Sequence, residues 1–263
     1  MERKLVMIKQ LSEYTAGDMT VRYYKDDMGK VGFVFVPTSM KKQIVPEFDC
    51  RLEPLIQCKL VGDAYPGPFA CGHTMRDSGT VKRISFTGQE EIRADGGRRI
   101  ETSFAVDELS FVHKLTFFEG YDAAECCVSV ENKGGVTVSL EMLHSFSLGM
   151  LTPFENGIHK ENLNLYRMPS RWASEAHLEK KLAEELLLVP SFLEEEIFCV
   201  SHGQIGSKPT DHYIPFVGIE DIEKKCCGAH RYHVQAPGKL SLFVRITGFQ
   251  SAVVWRITIT AHG

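Results

Sequence analysis

The chain has 263 residues, 43% of them hydrophobic and 24% charged, with a formal net charge of −4. This is ordinary globular composition, enough for one large domain or two small ones. It excludes an electrostatic footprint for nucleic acid or an anionic membrane, and no run approaches the roughly 18 apolar residues of a membrane span. The opening MERKLVMIKQ is too polar for a signal peptide, so the expected location is the cytoplasm.

In chain order, β signals dominate. TVRYYKD, KVGFVFVP, SFVHKLTFFEG, ECCVSVEN, VTVSLEMLHSFSLG and NLNLYRM are short and rich in Val, Phe and Tyr. Turn formers separate them in DDMGK, ADGGRR and ENKGG. Many short strands with few helical patterns between them predict an all-β fold, an antiparallel sandwich. ECCVSVENKGGVTVSLEML reads as a hairpin turning at Lys133-Gly134-Gly135. SEAHLEKKLAEELLLVPSF breaks the pattern: Ser174 is a possible cap, good helix formers run to Pro190, and propensity alone predicts a helix.

The eight cysteines are Cys50, Cys58, Cys71, Cys126, Cys127, Cys199, Cys226 and Cys227. Two adjacent pairs and wide gaps fit neither a zinc ribbon nor a compact disulfide framework. They are expected to be reduced thiols, most of them buried. His202, His212, His230 and His233 form no ligand set of recognised spacing, so no metal or other cofactor is expected. No nucleophile elbow, phosphate loop or dinucleotide fingerprint is present.

Two stretches carry more information. LVGDAYPGPFACGHTMRDSG, Leu60 to Gly79, is a long loop of the kind that carries function, or a plug over one end of the sandwich. LYRMPSRWASE holds Trp172, one of only two tryptophans, beside Arg171. An exposed Trp suits the apolar face of a sugar ring while Arg bonds hydroxyls; the alternative is a core Trp.

At these residues the chain resembles the N-terminal domain of the glycoside hydrolase family 36 alpha-galactosidases. LEPLIQCKLVGDAYPGPFACGHTMRDSGTVK, FFEGYDAAECCVSVENKGGVTVSLEMLHSFSLGMLTPF, LYRMPSRWASEAHLEKKLAEELLLVPSF and HGQIGSKPTDHYIPFVGIED stand in family order from about residue 20 to 225. One departure is WASEAHL, where the family often has WSAEGRL. The resemblance implies a twisted antiparallel β-supersandwich of the galactose mutarotase-like kind, on which SEAHLEKKLAEELLL lies extended or irregular. That contradicts the helix expected from propensity, which tertiary context can override. It implies retaining hydrolysis of terminal alpha-galactosides of the raffinose and melibiose type by two carboxylates roughly 5–5.5 Å apart. In the family both are aspartates of a following (β/α)8 barrel. No barrel is present here, so the resemblance implies a chain without the catalytic residues, inactive alone. It further implies a homo-oligomer and a substrate-facing role for Trp172 alone; with Arg171 beside it and Asp63 in the long loop, read from the residues themselves, Trp172 makes up the candidate substrate-binding set.

After residue 225 the resemblance stops. Residues 226–263 show no GSWQ and no ISGGLAD-like stretch, both expected from the family. Joining the last base of each codon to the first two of the next lets Val234 to Lys239 read PGSWQ and Gln250 to Ile257 read ISGGLAD, with AEFIRTDHRLS between them. The expectation is a sandwich domain over 1–225 and an out-of-frame tail over 226–263. KLSLFVRI and AVVWRITIT nevertheless look like strands, as a genuine final strand pair would. Two other functions compete: a stand-alone carbohydrate-binding or oligomerisation module, and a mutarotase-like enzyme using His and Glu in a sandwich groove.

Overall fold

The computed structural model describes residues 7–48, 52–64, 77–94, 96–156, 162–170, 173–174, 177–186, 188, 197–203, 212–231 and 239–245. Their regular structure is mostly antiparallel β-strand. Strands β1 (Ile8–Ala16), β2 (Met19–Asp26) and β3 (Val31–Pro37) form one antiparallel sheet. Strands β5 (Ser85–Ala94), β6 (Gly97–Val106), β7 (Leu109–Phe118) and β8 (Ala124–Asn132) form a four-stranded meander. Between them in sequence, β4 (Cys58–Leu60) runs into the long loop, and the short helix α1 (Gly79–Arg83) follows that loop. Strand β4 pairs with β9 (Leu140–Leu143). A second four-stranded sheet has the order β11 (Glu179–Leu182), β10 (Leu163–Ser170), β13 (His212–Asp221), β14 (Cys226–Arg231). Strand β12 (Ile197–Gly203) pairs with β15 (Lys239–Arg245).

The period of two explains the core. On β6 and β7 the buried residues are Ile100, Thr102, Phe104 and Val106, then Leu109, Phe111, His113, Leu115 and Phe117. Successive side chains point to opposite faces of a strand, so these all line one face. That face packs on the β1–β3 sheet. Phe33 lies 5.7 Å from His113 and 6.1 Å from Phe146, ring centre to ring centre, and Phe35 lies 6.0 Å from Phe117. Burying each of these phenylalanine rings stabilises the fold by roughly 1.5–3 kcal/mol relative to leaving it exposed. The opposite face of β2 and β3 is buried too: Tyr24, Val34 and Val36 join Ile44, Leu52, Met150 and Phe154 in a second cluster. Cover on both faces is why VGFVFV reads as a continuous apolar run rather than an alternating one.

Three expectations need correction or refinement. The sequence from Ala124 to Leu143 is not a hairpin: β9 pairs with β4 instead, in register Cys58↔Leu143. Asn132 diverts the chain. Its side chain accepts from the Gly134 amide at 3.0 Å and donates to the Val136 carbonyl at 2.8 Å. The Lys133 amide meanwhile reaches back to the Glu108 carbonyl at 2.9 Å. The Gly pair therefore serves a local Asx turn, and Val136 is left 78% exposed. The segment after Ser174 is extended where it is described: Glu179–Leu182 pairs with Asn164–Arg167, and only Glu184–Leu186 forms a 3-10 turn. Strand pairing overrides helix propensity there. The cysteines described are free thiols, but of five only Cys58 is buried; Cys126 and Cys226 are half-buried, while Cys127 and Cys227 are exposed. Adjacent cysteines on a strand must face opposite ways. Beyond residue 225, β14 pairs with β13 from Asp221↔Cys226 to Phe216↔Arg231, and β15 pairs with β12.

Candidate functional site

The long loop leaves β4 at Leu60, and Asp63 closes its neck. The Asp63 carboxylate accepts from the Leu60 amide at 3.1 Å and from the Thr80 hydroxyl at 3.0 Å, tying the loop's first turn to α1 on its far side. Burial raises its pKa, but hydrogen bonds from the Leu60 amide, the Thr80 and Ser78 hydroxyls and the Thr80 amide outweigh this, and the net shift is downward. Ser78 completes the clasp. Its hydroxyl donates to the Cys58 carbonyl at 2.7 Å and accepts from the Val81 amide at 3.2 Å, capping α1. Replacing Ser78 with Ala is expected to cost about 1–2 kcal/mol, read as a lower denaturation midpoint, because one buried side chain serves as both cap and carbonyl donor. Residues 65–76 lie outside the described residues.

Asp77 re-enters the fold in the left-handed region, at φ 49°. The buried Gln57 amide holds it: Gln57 accepts from the Asp77 amide at 3.0 Å and donates to the carboxylates of Asp77 and Glu53, each at 3.1 Å. Ser147 also donates to Glu53, at 3.2 Å. The interior around Glu53 is closely packed. Glu53 is 3% exposed, and His113 is fully buried. A Cβ on Gly32 would come within 2.8 Å of the Glu53 carbonyl oxygen, and one on Gly149 within 2.6 Å of the Glu53 Cβ. Bare backbone is therefore pressed against Glu53 by both glycines.

The segment PSRW begins at the end of β10, and a polar ladder holds that strand. Glu220 accepts from Tyr166 at 2.6 Å and from Asn164 at 2.8 Å, and pairs with Lys180 at 3.2 Å. The Tyr166 hydrogen bond, then those of Asn164 and Lys180, depress the Glu220 pKa. On the same strand the Arg167 guanidinium donates to Glu179 at 3.0 and 2.7 Å and lies 5.5 Å from the Tyr213 ring. The last pairs of the ladder are Pro169↔Tyr213 and Ser170↔His212, and Ala173 turns the chain at φ 63°. Arg171 and Trp172 fall between these points, outside the described residues. Asp63 follows β4 of the β4–β9 pair, whereas Arg171 and Trp172 both follow β10 of the second four-stranded sheet, so the candidates follow strands of two different sheets. Sequence reasoning missed Tyr166, Arg167, Glu179 and Glu220. The Asn164–Tyr166 spacing of two, which puts both on one strand face, was the available signal.

Among the described residues no group of three or more His, Cys, Asp or Glu side chains is placed to hold a metal. The side chains of His202, His212 and His230, and all of His233, lie outside the described residues. No described helix is long and apolar enough to cross a membrane.

The fold defines an antiparallel β-sandwich class, and comparison with solved structures narrows it. No protein-family model and no curated protein matches the chain. Solved structures do. The GH36 alpha-galactosidase AgaA from Geobacillus stearothermophilus superposes with a TM-score of 0.60 at 12% identity, over 94% of this chain and 37% of that one. A variant of AgaA in complex with raffinose gives 0.55 at 12% identity, over 95% and 37%. The alpha-galactosidase from Lactobacillus brevis gives 0.54 at 11% identity, over 97% and 36%. The chain thus has the fold found in GH36 alpha-galactosidases and spans a little over a third of their length.

Proposed function

We propose that this chain is the non-catalytic, N-terminal sandwich portion of an alpha-galactosidase-like glycoside hydrolase. The observation that carries the reading is the fold match over 94% of this chain against 37% of AgaA. One AgaA variant is seen with raffinose and another with stachyose, which supports an alpha-galactoside oligosaccharide as the substrate class of the whole enzyme. The chemistry is retaining hydrolysis by two carboxylates roughly 5–5.5 Å apart, carried on a barrel that follows the sandwich. In this reading the sandwich's substrate-binding residues are Arg171 and Trp172, which follow β10 in sequence, and Asp63 at the neck of the long loop. The whole enzyme is a cytoplasmic homo-oligomer.

In the same reading, the domain proper spans 1–225 and residues 226–263 are translated out of frame. The strands β14 and β15 do not oppose this, because ladder hydrogen bonds are made by backbone groups whatever side chains they carry. Sequencing the gene tests both proposals. The shifted frame should spell PGSWQ, then ISGGLAD, and continue into a barrel. The purified 263-residue chain should not turn over an aryl alpha-galactoside. Turnover by the pure chain would sink the non-catalytic reading. A gene whose shifted frame spells neither stretch removes the frameshift, and one with no barrel in any frame favours the stand-alone module.

A further inference from the structure

Three turns meet at one end of the fold and enclose an open groove of about 420 Å³. Ala16, Gly17 and Asp18 come from the β1–β2 turn, Gly97 and Arg98 from the start of β6, and Phe117 to Asp122 from the β7–β8 turn. The volume falls within the range of small-ligand pockets.

The turns are tied to one another. The Asp18 amide donates to the Asp122 carboxylate at 3.3 Å, and the Glu119 amide donates to the Gly96 carbonyl at 2.9 Å. The Arg98 guanidinium reaches the Thr15 carbonyl and, at 2.9 Å, the Glu91 carboxylate. Arg98 therefore ties β6 to both the first turn and β5. The groove is built before any ligand arrives, so little ordering cost remains to be met on binding.

Its lining has three properties that together select a ligand. Tyr121 is 70% exposed, and Phe118 beside it is partly exposed at 36%, so the groove offers solvent an aromatic surface. The Asp18 and Glu119 carboxylates have no hydrogen-bond or ion-pair partner among the described residues, so they remain available as acceptors. Three carboxylates, Asp18, Glu119 and Asp122, face a single cation, Arg98, already engaged by Glu91. That balance repels phosphate, nucleic acid and acidic polymers. An apolar ring face beside unpartnered acceptors instead fits a neutral molecule with one flat C–H face and a rim of hydroxyl donors. A pyranose ring has this shape and chemistry.

We propose that the groove between the β1–β2 and β7–β8 turns is a saccharide-binding site, with Tyr121 as the stacking platform and Asp18 and Glu119 accepting from sugar hydroxyls. It rests on the chemistry of the groove and not on the galactosidase reading.

The test is a titration of the full chain with raffinose, maltotriose and cellobiose, followed by backbone NMR shifts and calorimetry, with spermidine as the cationic competitor. At least one sugar should shift the resonances of residues 118–122 and bind with a millimolar or tighter constant. Tyr121→Ala should weaken that binding at least tenfold, and Asp18→Asn several-fold. Neither change should shift the denaturation midpoint measurably, as expected for exposed side chains. No shift at 118–122 with any sugar, sugar binding that Tyr121→Ala leaves intact, or binding of spermidine alone would each overturn the proposal. None of these outcomes bears on aryl alpha-galactoside turnover or on the gene's reading frame, so this site and the galactosidase reading fail separately.

Discussion

Acidification from pH 7 to pH 4 should cost this fold about 3 kcal/mol through His113 alone. The side chain is fully buried on the inner face of β7, against Phe33, with its Nε2 3.2 Å from the Cys126 sulfur. Burial pushes its pKa from the ordinary 6.5 down to about 4, since the charged imidazolium has no solvent there. Cys126 cannot rescue the charge as a thiolate, because burial pushes that thiol up. Above 6.5 the imidazole is neutral in both folded and unfolded chains, and pH has no effect through this group. Between 6.5 and about 4 the unfolded chain takes a proton that the folded one refuses, so stability falls by up to about 1.4 kcal/mol per pH unit. Below about 4 both states are protonated and the loss levels off. Urea midpoints at several pH values should show this slope, and His113→Leu should flatten it. An equal slope in the variant removes His113 as the cause. The imidazole resonances of the unmodified protein give a second reading: they should stay neutral well below pH 6.

The parts of the fold that were legible share a physical feature. β2, β3 and β7 announce themselves because burial writes Val, Phe and Tyr into them, while β8 and β10 do so by alternating apolar with polar residues or by a buried apolar run. The DG turn before β6 does so because only glycine accepts the φ of 73° found at Gly96 at no steric cost. β5 carried no such signal: SFTGQEEIRA is polar, with no residue fully buried, and becomes a strand only by pairing with β6. The misread hairpin at Lys133 shows the limit. Gly134-Gly135 satisfies the sequence rule for a two-strand turn, yet the Asn132 side chain and the β4 edge compete for the same chain, and neither is visible locally. Long-range partners likewise decided Glu179–Leu182, which is extended because β10 offers it a ladder. Resemblance to a family anticipated that outcome because an extended segment there is part of the family's fold.

The site was legible in a different way. Asp63 could be singled out in the long loop, but its work at the neck, bonded to Leu60 and Thr80, depends on α1 returning to it from 17 positions later. The groove at Tyr121 was not legible. Its turns are far apart in sequence, as the Asp18–Asp122 contact across 104 positions shows. A single tyrosine in EGYD looks like any turn residue until its neighbours are in place.

Gly97→Ala should destabilise the protein by about 3 kcal/mol or more, the upper end of what overpacking costs. Gly97 is the first residue of β6, pairing with Ala94 on one side and Phe118 on the other. Its φ is not in the left-handed region, so backbone conformation is not the constraint. Space is: a Cβ there would overlap the Phe117 carbonyl oxygen, and would sit 2.9 Å from that carbonyl carbon and 3.0 Å from the Phe118 Cα. All three neighbours are backbone of β7, which cannot rotate away as a side chain would. Accommodating one methyl group means parting the β6–β7 ladder at the end that forms the groove. Gly88→Ala is the matched control, since nothing lies within 4 Å of a Cβ at that position. There the loss of chain entropy in the unfolded state should leave stability unchanged or raised by about 0.4–1 kcal/mol. Denaturant midpoints of the two variants decide the matter, and equal midpoints would falsify the close approach of β7 to Gly97. Because Gly97 lines the groove, its Ala variant should also lose saccharide binding even at low temperature, where the fold survives, while Gly88→Ala binds as the unmodified chain does.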